Sequence, residues 1–257
     1  MTAHPGSAAV CEEPPHELAA PEDHGHSPDE VAKRLAGAGR STHLRDFVYG
    51  AIDGAVTTFA IVAGVQGAGL PHGIILALGT ANVLADGFSM AASNYSGTKA
   101  ERDDMTRLRA MEERQIDLNP EGEREEIRQI LHAKGLDGAV LDEAVGAISG
   151  NKTAWIELML SDEYGLNPRP PAPIRSALAT FVAFLAAGLI PLLPYALGLE
   201  PAFRLSIAAT GAVFFMIGAL KSRWSLSAWW RSGLETFAIG AVAAAIAYMV
   251  GSLFRGA

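Results

Sequence analysis

Five apolar stretches limit what this chain can fold into. They cover residues 47–70, 73–95, 174–197, 205–220 and 234–254 of 257. A helix needs about 20 predominantly apolar residues to cross the hydrocarbon of a bilayer, and all but 205–220 reach that length. That stretch is flanked by Arg204 and Lys221, whose long stems let their charges reach the interface. One such stretch could be a buried helix of a soluble domain. Five in one chain argue for an all-α membrane protein with five transmembrane helices. Composition agrees: 49% of residues are hydrophobic and 19% charged, against about 25% charged in soluble domains.

The polar remainder divides unevenly. Residues 1–44 are rich in Pro, His, Glu, Ala and Gly without apolar periodicity, and read as a mostly disordered tail. They lack the basic-then-apolar pattern of a signal peptide. Transmembrane helices 1 and 2 occupy 45–95, and helices 3 to 5 occupy 174–257. Between them, 96–173 is too polar to span. Its core, 101–170, carries sixteen Asp and Glu against nine Lys and Arg, most of the chain's net charge of −8. Such a segment repels nucleic acid and attracts cations.

This segment reads as helices. One continues the second apolar stretch over 102–116 and is broken by Asn119-Pro120. Others cover 121–133, 137–148 and 153–164, the last ended by Gly165 and the prolines at 168, 170, 171 and 173. Positive flanks set the orientation. Arg34, Arg40 and Arg45 precede the first span, and Lys221, Arg223 and Arg231 lie between the fourth and fifth. The N-terminus and the acidic segment are therefore expected in the cytoplasm. Trp224, Trp229 and Trp230 beside Arg231 fit an interfacial anchor. The Ala-, Gly- and Arg-rich style points to a bacterial inner membrane. Cys11 is the only cysteine, so no intrachain disulfide forms.

Asp53 stands inside the first span, where an ionisable group is costly and marks a functional site by default. A carboxylate near the headgroups is the plainer alternative. Gly50 and Gly54 have the spacing that lets helices approach closely. In the second span Asn82, Asp86 and Met90 follow at i, i+4 and i+8, on one slowly drifting stripe. Amide oxygen, carboxylate and thioether on one face suit an ion track, and the sulfur shifts preference toward transition metals. A lone methionine is otherwise packing.

In the acidic segment Glu112 and Glu113 share one helix, and Glu123 and Glu126 share a face of the next. Met159 and Glu163 are spaced i, i+4. Solvated faces, and a core role for Met159, are the alternatives. His4, His16, His24 and His26 with Cys11 could capture metal weakly. No phosphate-binding loop or nucleophile–base signature stands out, and the helical region holds no Glu-x-x-His pair, so no enzyme is indicated.

At these residues the sequence resembles the vacuolar iron transporter family. The resemblance is carried by Asp46-Phe-Val-Tyr-Gly-Ala-Ile-Asp-Gly54, Ala85-Asp-Gly-Phe-Ser-Met-Ala-Ala-Ser-Asn-Tyr95, Ala154-Trp-Ile-Glu-Leu-Met159 and Ile190-Pro-Leu-Leu-Pro-Tyr195, and it covers about 43–254. It implies a homodimer of five-helix subunits, a cytoplasmic metal-binding domain, and exchange of divalent iron, often also manganese, for protons. It places the intramembrane ligands on Asp53 and Met90, and the domain ligands on Glu112, Glu123, Glu126, Met159 and Glu163. Two positions depart from the family pattern. Asn82 stands where plant members carry a glutamate, and Gln115 replaces another expected domain glutamate. Since Asn82 cannot take a proton, Asp86 is the substitute candidate.

The expectation is a proton-coupled exporter of Fe²⁺, with Mn²⁺ as a further candidate. The rivals are a transporter of other cargo, which needs neither Met90 nor Met159, and a membrane-anchored metal sensor or buffer, which needs no ligands inside the bilayer.

Overall fold

The structure, a computed structural model, describes residues 26–37, 43–167 and 172–255. Among them there are only helices: α1 Pro28–Gly37, α2 Leu44–Ala68, α3 His72–Leu118, α4 Pro120–Ala133, α5 Gly138–Ser149, α6 Lys152–Leu158, α7 Pro173–Gly188, α8 Leu193–Ala196, α9 Ala202–Lys221 and α10 Trp229–Leu253. Five helical runs are long and apolar enough to cross a membrane: α2, α3, α7 with α8, α9 and α10.

Three features refine the sequence reading. The segment before α2 holds a helix, α1, preceded by Ser27, whose hydroxyl donates to Glu30 Oε2 at 2.6 Å. His4, Cys11, His16 and His24 lie outside the described residues. The third span is not continuous. It leaves the α-helix after Gly188, passes through a 3₁₀ turn at Ile190–Leu192 and resumes as α8. Pro191 and Pro194 cause this, since neither supplies an N–H and each ring crowds the preceding turn. The run read as one helix over 153–164 ends instead in a π turn, Met159–Glu163, after α6.

Helix α2 is the hub, packed by α7, α10, α3 and α9. Its Gly50 and Gly54 allow this. A Cβ at either position would collide with backbone of α7, at Thr180 and Phe184 respectively. Gly251 of α10 meets the α2 backbone at Gly64 in the same way. In lipid, where apolar surface gains nothing by leaving one apolar medium for another, such close approach is what holds helices together.

Helix α3 has 47 residues, so at 1.5 Å per residue it is about 70 Å long. That is more than twice the hydrocarbon thickness. Its first half packs on α2 and α7, and its second half forms one wall of the acidic domain. Leu108 and Ile116 of α3 join Ile127 and Leu131 of α4, Leu141 and Val145 of α5, Trp155 and Ile156 of α6, and Met159 and Leu160 in one core. Asn119 separates α3 from α4, its side chain accepting from Gly122 N at 3.2 Å. Asn151 caps α6 through Ala154 N at 3.2 Å. Both are the local oxygen acceptors that a helix start needs.

Candidate functional site

The acidic domain gathers four carboxylates, a buried pair and two neighbours. Glu112 of α3 is 2% exposed and Glu123 of α4 is 7% exposed. Tyr164, just past the π turn, donates its hydroxyl to Glu112 Oε1 at 2.8 Å. Glu112 Oε2 and Glu123 Oε2 are both buried without a hydrogen-bond partner. The two carboxyls are close enough to share a proton, and Glu126 and Glu163 stand within electrostatic reach of them.

Burial first, then the charges of Glu126 and Glu112, the contact with Glu112 and the charge of Glu163 push Glu123 up to about 7. Glu126 is raised by burial and by Glu112. Glu163 is raised by burial, with Tyr164's hydrogen bond opposing and Glu112 and Glu126 adding. Two buried carboxyls in contact need either a proton or a cation between them.

The remaining domain candidates fall elsewhere. Glu113 is exposed and is not among the charges that act on Glu123. Met159 is fully buried within the apolar core, whereas Glu163 at the other end of the π turn is exposed. The two therefore do not present side by side as an i, i+4 pair on a regular α-helix would. The residue the sequence reading missed is Tyr164. Its signal was its position directly after Glu163, at the end of the helical run.

In the membrane-spanning part, Asp53 of α2 is half-buried and within electrostatic reach of Asp86 on α3. Thr57 Oγ donates to the Asp53 carbonyl at 2.8 Å, so it leaves the carboxylate free. Asn82 and Met90 lie one turn to either side of Asp86, both half-buried, and Asn82 Nδ2 is buried without a partner. Asp86 itself is exposed in a single chain. Of the expected stripe, Asp86 is thus the residue within electrostatic reach of Asp53. Among the described residues, no three His, Cys, Asp or Glu side chains close on a common point as a finished metal site.

A second polar cluster sits where the acidic domain joins the bundle. Asn94 Nδ2 lies 3.0 Å from Asp46 Oδ1, 2.7 Å from Thr180 Oγ and 3.2 Å from the Ser176 carbonyl. His43 Nδ1 is 3.3 Å from Asp46 Oδ2 and 3.3 Å from Ser176 Oγ. Thr98 Oγ donates to Asn94 Oδ1 at 3.2 Å. Helices α2, α3 and α7 are thereby pinned together two turns below Asp53. The sequence reading quoted Asp46 within a motif and assigned it nothing.

The model of the VIT family matches residues 44–252. The chain belongs to that family. It is 35% identical over 208 residues to a vacuolar iron transporter 1 of Tulipa gesneriana, covering 80% of this chain and 84% of the relative. It is 34% identical over 215 residues to a vacuolar iron transporter 1 of Arabidopsis thaliana, covering 82% and 86%. A vacuolar iron transporter of Toxoplasma gondii is 32% identical over 227 residues, covering 84% and 75%. Family membership and five apolar helices make this an integral membrane protein. The VIT match begins at the start of α2, so it holds both carboxylate groups and all of the Asn94 cluster except His43, and leaves out α1.

Proposed function

We propose that the chain is a transporter that moves Fe²⁺, with Mn²⁺ as a further cargo, out of the cytoplasm in exchange for protons. The observation that supports this most is the Glu112–Glu123 pair, two buried carboxylates with an unpartnered oxygen each, of which Glu112 lies on the same helix α3 that carries Asp86, within electrostatic reach of Asp53. One helix therefore runs from a cation-hungry cluster in the acidic domain to a pair of carboxylates inside the membrane. The relatives' names point to iron.

In this reading the acidic domain lies in the cytoplasm and captures the ion through Glu112, Glu123, Glu126 and Glu163. Because burial and neighbouring charge push Glu123 up to about 7, protons and metal compete for that site near neutrality. Asp53, Met90 and Asn82 then carry the ion across, and Asp86 takes the proton that Asn82 cannot. A carboxylate open to lipid is costly, so a second copy of the chain covers the Asp86 face and completes the ligand set across a two-fold axis. Met159 lies in the apolar core of the domain, and its thioether reaches the ion only if the π turn rearranges. The host membrane in this reading is a bacterial inner membrane with the N-terminus in the cytoplasm.

The test is flux in proteoliposomes of full-length protein, loaded at acidic internal pH and given Fe²⁺ under reducing conditions or Mn²⁺ outside. The expected result is metal uptake with matching alkalinisation of the lumen. Binding without uptake would leave a sensor or buffer. Uptake without proton movement would remove the exchange step.

A further inference from the structure

The connection between α9 and α10 concentrates aromatic and cationic side chains that transport does not use. Three of the chain's four tryptophans, Trp224, Trp229 and Trp230, lie within seven residues. They are 58%, 60% and 46% exposed, and Leu226 between them is 78% exposed. Arg223 and Arg231 are exposed too. Neither guanidinium forms an ion pair among the described residues.

The surface is built rather than loose. The 3₁₀ turn Ser222–Trp224 packs on both α9 and α10. Trp229 stands edge-on to Phe215 of α9, with ring centroids 5.9 Å apart. Arg231 lies over the Trp230 ring at 5.1 Å, its donors free at the rim.

Position and charge select the occupant. The spans alternate in direction, so this connection emerges on the membrane face where α2 begins and the acidic domain hangs. A connection between two apolar helices sits at headgroup depth, where indole rings are favoured. Guanidinium groups match phosphate oxygens two at a time. The acidic domain on the same face repels polyanions in solution, whereas a lipid phosphate is already held against the loop by the bilayer.

We propose that Trp224, Trp229, Trp230, Arg223 and Arg231 form a binding surface for the headgroup of an anionic phospholipid in the leaflet on the acidic-domain side. The ligand is a lipid phosphate bearing net negative charge, preferred over zwitterionic lipid, and the preference weakens as salt rises. This does not depend on the cargo or on proton coupling.

The experiment uses full-length protein in liposomes of phosphatidylcholine with phosphatidylglycerol, one or the other lipid brominated, and reads quenching of tryptophan fluorescence. Trp155, buried in the acidic domain, supplies an unquenched background. Brominated phosphatidylglycerol is expected to quench at roughly fivefold lower mole fraction than brominated phosphatidylcholine, as one or two cations at an anionic surface would give. The double variant Arg223→Gln, Arg231→Gln should bring the two lipids to equal quenching, and Arg223→Lys, Arg231→Lys should keep part of the preference, because the charge stays and the two-pronged fit is lost. Equal quenching in the unmodified protein overturns the proposal. So does a preference that survives the Gln variant, or one abolished by millimolar soluble glycerol phosphate, which would mark a soluble-anion site.

Discussion

Tyr164 donates to Glu112 Oε1 at 2.8 Å, while Oε2 of the same carboxylate stays buried without a partner. The phenol occupies one oxygen of the Glu112 carboxylate and leaves the other available to a metal ion. Removing the donor alone leaves a buried acceptor unpaired. Tyr164→Phe is therefore expected to cost about 1–2 kcal/mol of metal-free stability. It should also lower Mn²⁺ affinity at pH 7 by roughly three- to tenfold. Calorimetry on the full-length protein in detergent measures both. An unchanged affinity would detach Tyr164 from the site.

The raised carboxyls predict a pH dependence whose sign is fixed. Glu123 stands at about 7 in the folded protein against an ordinary value of 4.5. A group raised on folding contributes stability that is complete below its ordinary value and is lost as pH rises through the folded one. Glu126 and Glu163 shift the same way. With chelator present, the acidic domain is expected to lose about 1–3 kcal/mol between pH 5 and pH 8. Excess Mn²⁺ should reverse that loss, because a ligand bound only by the folded form stabilises it. Glu123→Gln should flatten the chelator profile. Thermal unfolding at several pH values, with and without metal, decides it; a metal-free protein more stable at pH 8 than at pH 5 would contradict the assignment.

Close backbone contact between α2 and α7 predicts a steep steric penalty. A Cβ at Gly54 lands on the Phe184 carbonyl and main chain, which cannot swing aside as a side chain could. Gly54→Ala is expected to cost about 2–4 kcal/mol or to prevent assembly. Gly73→Ala, where nothing lies within 4 Å of the added atom, is the matched control and should stay within about 0.5 kcal/mol of the parent. Detergent thermostability of the two variants separates local crowding from a general loss of glycine.

How much of this was legible in the sequence differs by element. Hydropathy located all five spans, because a bilayer imposes a length that few other folds need. Asn119-Pro120 marked the boundary between α3 and α4 because an acceptor side chain followed by a residue without N–H suits only a helix start. The break after Gly188 was missed because hydropathy does not register a lost N–H, although Pro191 and Pro194 carried the information. The divergence of Met159 and Glu163 was hidden because regular α spacing was assumed across a π turn. The Asn94 cluster was illegible because Asn, Thr and Ser within helices look unremarkable until α2, α3 and α7 meet. Glu112, Glu123, Glu126 and Glu163 were found as candidates, but their convergence depends on how α4 and the π turn fold back on α3.

The last prediction separates the roles inside the membrane. Asp53 of α2 and Asp86 of α3 are within electrostatic reach of each other, and Met90 lies one turn from Asp86. Asp53→Ala should abolish flux while the protein still inserts, since a half-buried position with small neighbours tolerates truncation. Met90→Leu keeps size and apolarity and should change stability by less than about 1.5 kcal/mol. If the thioether is a ligand, Fe²⁺ flux falls markedly at normal protein yield; if it only packs, flux and yield both hold. Asp86→Asn asks about the proton. Asn82 cannot ionise, so Asp86 is the one titratable group on this stripe. Its loss should leave metal binding to the acidic domain intact while removing the response of uptake to a pH gradient. Flux with a pH dye in the same vesicles reads metal and proton together. An Asp86→Asn variant with full proton-coupled uptake would assign the coupling to Asp53 alone and leave Asp86 with the ion path only.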